Sequence, residues 1–129
     1  MNSNKMAKAR PKNLNLISIR LPLPALVSIL HRASGLVLFL LLPLLLWALQ
    51  QSLQSAAGFD QVRALAAHPL MKLILFGLAW AFIHHFLAGL RHLAMDMRLG
   101  VELAQARLTA KLVLAASLLL TLLAGAKLW

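Results

Sequence analysis

The stretch SILHRASGLVLFLLLPLLLWAL, residues 28–49, decides the fold of this chain. After Arg32 it contains no charged residue, and the uncharged run continues as far as Asp60. A bilayer core about 30 Å thick requires roughly 20 helical residues at about 1.5 Å each. The run is therefore long enough to cross a membrane, and it exceeds the apolar region of a secretory signal, which has about 7–15 residues. We predict an uncleaved membrane-spanning helix, bent locally at Pro43.

The composition of the whole chain indicates an integral membrane protein. Of its 129 residues, 61% are hydrophobic and 12% are charged, whereas about a quarter of a soluble domain is charged. The net charge of +10 would suggest nucleic-acid binding in a soluble protein. Here the positive charges flank apolar runs, so membrane lipid, and not nucleic acid, is the predicted partner. The chain has no cysteine, which excludes disulfides, thiolate-ligated iron–sulfur clusters and c-type haem within it.

Two further apolar runs predict two more spans. One begins at Pro69 and ends by Gly100, and the other is LTAKLVLAASLLLTLLAGAKLW near the C-terminus. The predicted architecture is all-α, with a basic N-terminal arm over residues 1–23 and a membrane domain over residues 24–129. Its three spans cover about residues 24–53, 69–97 and 106–128. The polar residues that follow the first span are interpreted as the start of a loop.

The distribution of lysine and arginine predicts the orientation of the spans. Residues 1–32 carry six basic residues and no acid, and residues 91–111 carry four basic and two acidic residues. The connection over residues 51–72 has only two basic residues and one acid. Positive charge accumulates on the cytoplasmic side, so we predict a cytoplasmic N-terminus and a C-terminus on the opposite side.

The histidines are the first candidate functional residues. His68 precedes the second span and is predicted to be an interfacial or capping residue. His84 and His85 lie within that span, where an ionisable residue is by default a functional hypothesis, and imidazole is a common ligand of haem iron. Neighbouring positions on a helix point about 100° apart, so at most one of the two faces a given cofactor.

The spacing of a nearby glycine favours His85. Gly89 lies four residues later on the same face, where its small size lets a macrocycle or another helix approach. Two interpretations remain open from spacing alone, namely haem ligation by His85 and an interhelical hydrogen bond. His84 is predicted to be a packing residue.

A second group of polar residues opens the first span. Ser28, His31 and Arg32 occupy positions i, i+3 and i+4, so their side chains share one helix face. A guanidinium and a hydroxyl there can donate hydrogen bonds to a carboxylate or to a carbonyl oxygen, as offered by a haem propionate or a quinone. The alternative is that Arg32 reaches the lipid headgroups while Ser28 bonds its own helix.

Two motifs in this chain resemble a known family. S-x-x-H-R-x-S-G begins the first span, after the basic arm, and H-x-x-x-G-x-R-H lies in the second span. In this order they resemble the cytochrome b subunit of bacterial succinate dehydrogenase, the larger membrane-anchor subunit of respiratory complex II. The resemblance covers essentially the whole chain, although the third span matches only in length and position.

The resemblance implies partners, cofactors and site residues. The chain would pair with a second small three-span subunit, and the two would anchor the iron–sulfur and flavoprotein subunits to the bacterial cytoplasmic (inner) membrane. Haem b, shared between the two anchor subunits, would take His85 as one axial iron ligand. The resemblance places Ser28 and Arg32 in the site for the quinone, with ubiquinone favoured. His31 and Arg32 would lie near the haem propionates.

The resemblance further implies that the chain is an electron-transfer anchor of a succinate:quinone oxidoreductase, in which electrons arrive from the iron–sulfur subunit and reduce the quinone. Reduction of a quinone consumes protons, and His92 and Asp96, four residues apart on one helix face, are a possible proton relay or a plain surface pair. The chain contains no dinucleotide-binding fingerprint, so it is not expected to be an enzyme on its own. The alternatives are the anchor of a fumarate reductase, or a cofactor-free membrane assembly or transport subunit.

Overall fold

Four helices make up the described part of the computed structural model, which covers residues 20–128, with side chains as far as Lys127. The helices are α1 (Leu23–Gln54), α2 (Ala56–Ala67), α3 (Pro69–Asp96) and α4 (Leu103–Leu128). Helices α1, α3 and α4 are each long and apolar enough to cross a membrane. The predicted all-α architecture with three spans is confirmed. The basic arm predicted for residues 1–23 lies outside the described residues except for its last part, from Arg20.

The three long helices begin and end near the predicted positions. Helix α1 has Pro22 as its N-cap and Pro24 in its first turn, where the missing amide proton costs nothing. It continues through Pro43, because a membrane helix tolerates the lost hydrogen bond. Helix α4 begins a few residues before the predicted span, since residues outside the apolar region can continue the same helix.

The connection between the first two spans is a helix, whereas the sequence was interpreted as a loop. Helix α2 has Ser55 as its N-cap, and Oγ of Ser55 accepts a hydrogen bond from the amide of Gly58. A side chain on Gly58 would collide with the backbone carbonyl of Gln51 in α1, so this glycine lets α2 fold back against α1. His68 ends α2 and caps α3, accepting a hydrogen bond from the amide of Leu70 at 3.3 Å. Its predicted capping role is confirmed.

Helix α3 is the central element, in contact with α1 on one side and α4 on the other. The buried apolar residues are small, which allows close approach of the helix backbones in a bilayer. They are Val27, Ala81, Ala88, Ala106, Ala110 and Val113. Large apolar side chains lie mostly on the outside of the bundle, as expected for a surface that faces lipid or another subunit.

Candidate functional site

Three histidines converge at the end of the bundle where α1 begins and α3 ends. The rings of His31 and His85 are stacked, with centroids 4.2 Å apart and planes 9° from parallel. The ring of His92 lies 5.0 Å from that of His31, at a tilt of 48°. The antiparallel arrangement of α1 and α3 therefore brings together His31, predicted from the first span, and two histidines of the second.

The hydrogen bonds of His85 define which ring nitrogen is available to a ligand. Its Nδ1 lies 2.9 Å from the backbone carbonyl oxygen of His31. A carbonyl oxygen can only accept, so Nδ1 carries the proton and donates it. The neutral imidazole then has its lone pair on Nε2, the state required for binding a metal ion. This chain thus presents an oriented imidazole whose second nitrogen, Nε2, is free of the interhelical hydrogen bond.

Two residues of α1 that the sequence analysis did not single out surround the same ring. Ser34 donates from Oγ to the His31 carbonyl at 2.9 Å, and this Oγ lies 3.3 Å from Nδ1 of His85. A Cβ added at Gly35 would meet Cε1 of His85 at 2.7 Å. His31, Ser34 and Gly35 stand at i, i+3 and i+4, a spacing that could have indicated a shared face.

Gly89 of α3 faces His31 of α1. A Cβ at this position would lie 3.6 Å from Nε2 of His31, an ordinary contact distance. An alanine would therefore fit here, and both roles predicted for this glycine stay predictions. Haem ligation and interhelical hydrogen bonding by His85 are also compatible, because each uses a different ring nitrogen.

Ser28 and Arg32 lie on α1 beside the histidines. Arg32 is exposed and donates from Nε to the backbone carbonyl of Ser28 at 3.4 Å. Its terminal guanidinium nitrogens make no hydrogen bond to the described residues. Ser28 is half-buried. The guanidinium is thus held at the backbone carbonyl of Ser28, and its terminal nitrogens can still donate to an external oxygen atom.

His84 is turned about 100° around α3 from His85 and faces a different part of the bundle interior. It is fully buried, its Nδ1 lies 3.5 Å from Oγ of Ser117 in α4, and its ring stacks on Trp80 at 5.1 Å. Within the described part of the chain, its Nε2 has no hydrogen-bond partner. The position agrees with the predicted packing role.

Arg91 fixes the same end of α3 to α4, a contact that the sequence analysis did not predict. The side chain is buried, and it donates from Nε to Oγ1 of Thr109 at 3.1 Å and from Nη2 to the carbonyl of Ala106 at 3.3 Å. The charged guanidinium of Arg91 is therefore hydrogen-bonded to oxygen atoms inside the bundle. Arg32, which follows His31 in the sequence, differs from Arg91 because its side chain is exposed.

The predicted relay residues occupy different surroundings. His92 is half-buried against His31, whereas Asp96 is exposed at the last position of α3. No hydrogen bond or ion pair joins them among the residues described. Their role as a relay stays a prediction.

The described residues include no multi-ligand metal centre, and the apolar cavity of the bundle lies away from the histidines. Among residues 20–128, no group of three or more histidine, cysteine or acidic side chains could hold a metal ion. An apolar cavity of about 510 Å³ lies between α1, α3 and α4, lined by residues such as Leu45, Phe82 and Gly125. No histidine lines it.

The fold and the site define a class: a three-span membrane protein that presents one oriented imidazole near the end of its bundle. The family model described as succinate dehydrogenase/fumarate reductase transmembrane subunit matches residues 6–124. The chain belongs to this family of transmembrane subunits, and the resemblance identified from the two motifs is confirmed.

Curated relatives align over nearly their whole length. The chain is 37% identical to the succinate dehydrogenase cytochrome b556 subunit of Coxiella burnetii, over 96% of this chain and 100% of the relative. It is 36% identical to the subunit of the same name from Paracoccus denitrificans, over 88% of each. The corresponding Rickettsia typhi subunit is 30% identical, over 88% and 89%. With its three apolar spans, the chain is a multi-pass protein of the bacterial inner membrane.

Proposed function

We propose that this chain is the membrane-anchor and electron-transfer subunit of a succinate:quinone oxidoreductase. The observation that carries the proposal is the orientation of His85, whose Nδ1 donates to the His31 carbonyl and whose Nε2 keeps its lone pair. Membership of the family of succinate dehydrogenase and fumarate reductase transmembrane subunits supports the role of anchor. Succinate itself would be oxidised on the flavoprotein subunit, not on this chain.

The cofactor in this proposal is haem b, shared with a second three-span anchor subunit. The relatives are named cytochrome b556 subunits, and the donor set of this chain fits a haem that takes one axial ligand here. His85 would bind the iron through Nε2, and the partner subunit would supply the other ligand. His31 and Arg32 would lie near the propionates. When bound, the haem would supply one-electron exchange between the iron–sulfur subunit and quinone.

The substrate at the membrane would be a quinone, with ubiquinone favoured. Its reduction to quinol takes two electrons and two protons. Arg32 would donate a hydrogen bond to one carbonyl oxygen of the quinone, which favours the negative charge that develops there on reduction. Ser28 would donate a second hydrogen bond through its hydroxyl. His92 and Asp96 are proposed to bring protons to the same end of the bundle.

The docking surface for the iron–sulfur and flavoprotein subunits is proposed at the end that carries the histidines. It comprises the N-terminus of α1 and the connection from α3 to α4. This end also carries most of the charge among the described residues, including Arg32, Arg98 and Arg107. An anchor there would keep the soluble electron donor close to His85.

Two alternative functions, a fumarate reductase anchor and a subunit without a cofactor, can be compared with the proposed one. A fumarate reductase anchor fits the same family model, but the curated relatives are named as succinate dehydrogenase subunits. A membrane assembly or transport subunit without a cofactor predicts no haem absorbance in the purified complex. The succinate dehydrogenase role is the one that the relatives favour.

The test is a reduced-minus-oxidised absorbance and electron paramagnetic resonance spectrum of the purified membrane complex. The native complex should show a low-spin haem with two histidine ligands. His85→Ala should abolish this signature, although haem content can persist through the remaining apolar contacts. His84→Ala is the matched control and should retain the signature, because its ring points about 100° away around α3. Loss of the signal in His84→Ala but not in His85→Ala would refute the assignment.

A further inference from the structure

We propose that His31, Ser34 and Gly35 of α1 form an imidazole pocket that positions His85 of α3. The inference rests on the proposed function, in which His85 ligates haem iron, and it adds three residues that act through His85. Each residue contacts a different part of the ring. Together they hold the position of the ring and its tautomer, with the proton on Nδ1 and the lone pair on Nε2.

Gly35 provides the space for the edge of the ring. A Cβ here would meet Cε1 of His85 at 2.7 Å and Nδ1 at 3.2 Å. Non-bonded contacts shorter than 3.0 Å between a Cβ and another heavy atom are essentially never seen in proteins. The ring of His85 or the helix would therefore have to move if position 35 carried a Cβ. The ring cannot retreat without lengthening the hydrogen bond to the His31 carbonyl. Any residue larger than glycine at position 35 would therefore displace the metal-binding nitrogen.

Ser34 acts on the opposite ring nitrogen from the one that binds iron. Its hydroxyl proton goes to the His31 carbonyl at 2.9 Å, which leaves the oxygen lone pairs free to face Nδ1 at 3.3 Å. The Nδ1 proton of His85 thus has two acceptors on α1, one main-chain and one side-chain. Partners of this kind fix the orientation of a metal-bound histidine and increase its basicity. Ser34 is a positioning residue in this sense.

His31 contributes both its backbone and its ring. Its carbonyl accepts the 2.9 Å hydrogen bond, and its ring covers the face of His85 at 4.2 Å. Residues at i, i+3 and i+4 of one helix lie together, so a single turn of α1 supplies the whole pocket. The motif H-R-x-S-G therefore has a structural reason for its serine and its glycine, separate from any contact with quinone.

The first experiment compares glycine variants in the assembled complex. Gly35→Ala should weaken haem retention about 10- to 100-fold, the range found when partners of a metal-bound histidine are removed, and should broaden or shift the low-spin signal. Gly77→Ala is the matched control on α3, since a Cβ there has nothing within 4 Å. Gly89→Ala should also be tolerated, because its Cβ would make only an ordinary contact at 3.6 Å.

The second experiment uses Ser34 and remains informative if Gly35→Ala fails to assemble. Ser34→Ala removes one acceptor of the Nδ1 proton, so the imidazole donates less electron density and the haem midpoint potential should become more positive. We expect a change of about three- to tenfold in the ratio of oxidised to reduced haem at fixed ambient potential, where tenfold corresponds to about 59 mV. Ser34→Thr keeps the hydroxyl and should restore the native potential.

The outcomes separate the two proposals. If His85→Ala keeps the bis-histidine signature, the proposed function fails. If His85→Ala loses the signature while Ser34→Ala leaves the potential unchanged, the proposed function stands and the imidazole pocket is refuted. Equal shifts in Ser34→Ala and Ser34→Thr would also overturn it, because they would show that the hydroxyl is not responsible.

Discussion

At the scale of single residues, His84 and His85 tie α3 to different neighbours. Side chains at adjacent helical positions diverge by about 100°. His85 accordingly donates to α1, whereas His84 lies buried 3.5 Å from Ser117 of α4. Polar atoms inside a bilayer need protein partners because no bulk water replaces them. The pair of contacts therefore restricts the rotation of α3, so the direction of His85 depends on both helices.

The proposed quinone site gives a prediction at the same scale. Ser28→Ala removes one neutral hydrogen bond, worth about 1 kcal/mol, and should lower the rate of quinone reduction about fivefold. Arg32→Leu removes a charged donor worth about 1.5–3 kcal/mol and should lower it about 10- to 100-fold. Oxidation of succinate by a soluble artificial acceptor should remain near normal in both, because the proposed function assigns succinate oxidation to the flavoprotein subunit and not to this chain.

Matched controls for these substitutions lie at the other end of the bundle. Ser52→Ala affects a serine near the C-terminus of α1 that bonds its own helix at Leu49. Arg63→Leu removes an exposed arginine from α2. Both control variants should reduce quinone at the native rate. Normal quinone reduction by Ser28→Ala and Arg32→Leu would mean that the quinone binds elsewhere.

The sequence was sufficient to single out His31 and His85, but not the rest of the imidazole pocket. A charged or titratable side chain within an apolar run can be recognised from the sequence alone. The spacing of four residues between His85 and Gly89 can be recognised in the same way. The importance of Ser34 and Gly35 depends on how closely α1 approaches α3, which is a property of the packed pair. Gly35 has no chemistry of its own, and only the 2.7 Å separation from Cε1 reveals its constraint.

At the scale of elements, the three apolar spans were predicted from the sequence, whereas α2 was missed. Runs of about 20 apolar residues specify a spanning helix by length alone. Helix α2 is only 12 residues long and mixes polar and small residues, so its helical state depends on packing against α1. The local signals were Ser55 as an N-cap and Pro69 as a stop. They could have indicated this helix if read together.

The connection from α3 to α4 contains a backbone feature that composition does not reveal. Arg98 has φ +62°, the left-handed conformation usually taken by glycine. The amide of Leu99 donates to the carbonyl of Ala94, and the amide of Arg98 donates to that of Met95, both at 2.9 Å. This is the Schellman arrangement of a helix C-terminus. An arginine in it is strained by about 1 kcal/mol.

Arg98→Gly is therefore predicted to stabilise the protein by about 1 kcal/mol. The measurement is the denaturant midpoint for loss of helical circular dichroism in detergent, converted to a free energy of unfolding with the native slope. Arg107→Gly provides the opposite control, because position 107 lies within α4 and glycine there should destabilise by about 1 kcal/mol. A lower midpoint for Arg98→Gly than for the native chain would contradict the strain argument.

At the scale of the whole molecule, the described basic residues and the histidine cluster are concentrated at one end of the bundle. Besides the histidine cluster, this end carries six of the basic residues described, namely Arg20, Arg32, Arg91, Arg98, Arg107 and Lys111. The other end carries Arg63, Lys72 and Lys127. Because positive charge accumulates on the cytoplasmic side, the predicted orientation brings His31 and His85 to the cytoplasmic leaflet. Protons for quinone reduction would then come from the cytoplasm.

The last prediction tests that orientation. A topology reporter fused after Trp129 should be active only on the non-cytoplasmic side, whereas one inserted within residues 98–102 should be active in the cytoplasm. An insertion within α2, after Arg63, is the matched control and should behave like the C-terminal fusion, since both lie at the other end of the bundle. A cytoplasmic C-terminal reporter would invert the whole assignment. The histidines would then face the opposite compartment, and a soluble electron donor in the cytoplasm could not reach His85 across the membrane.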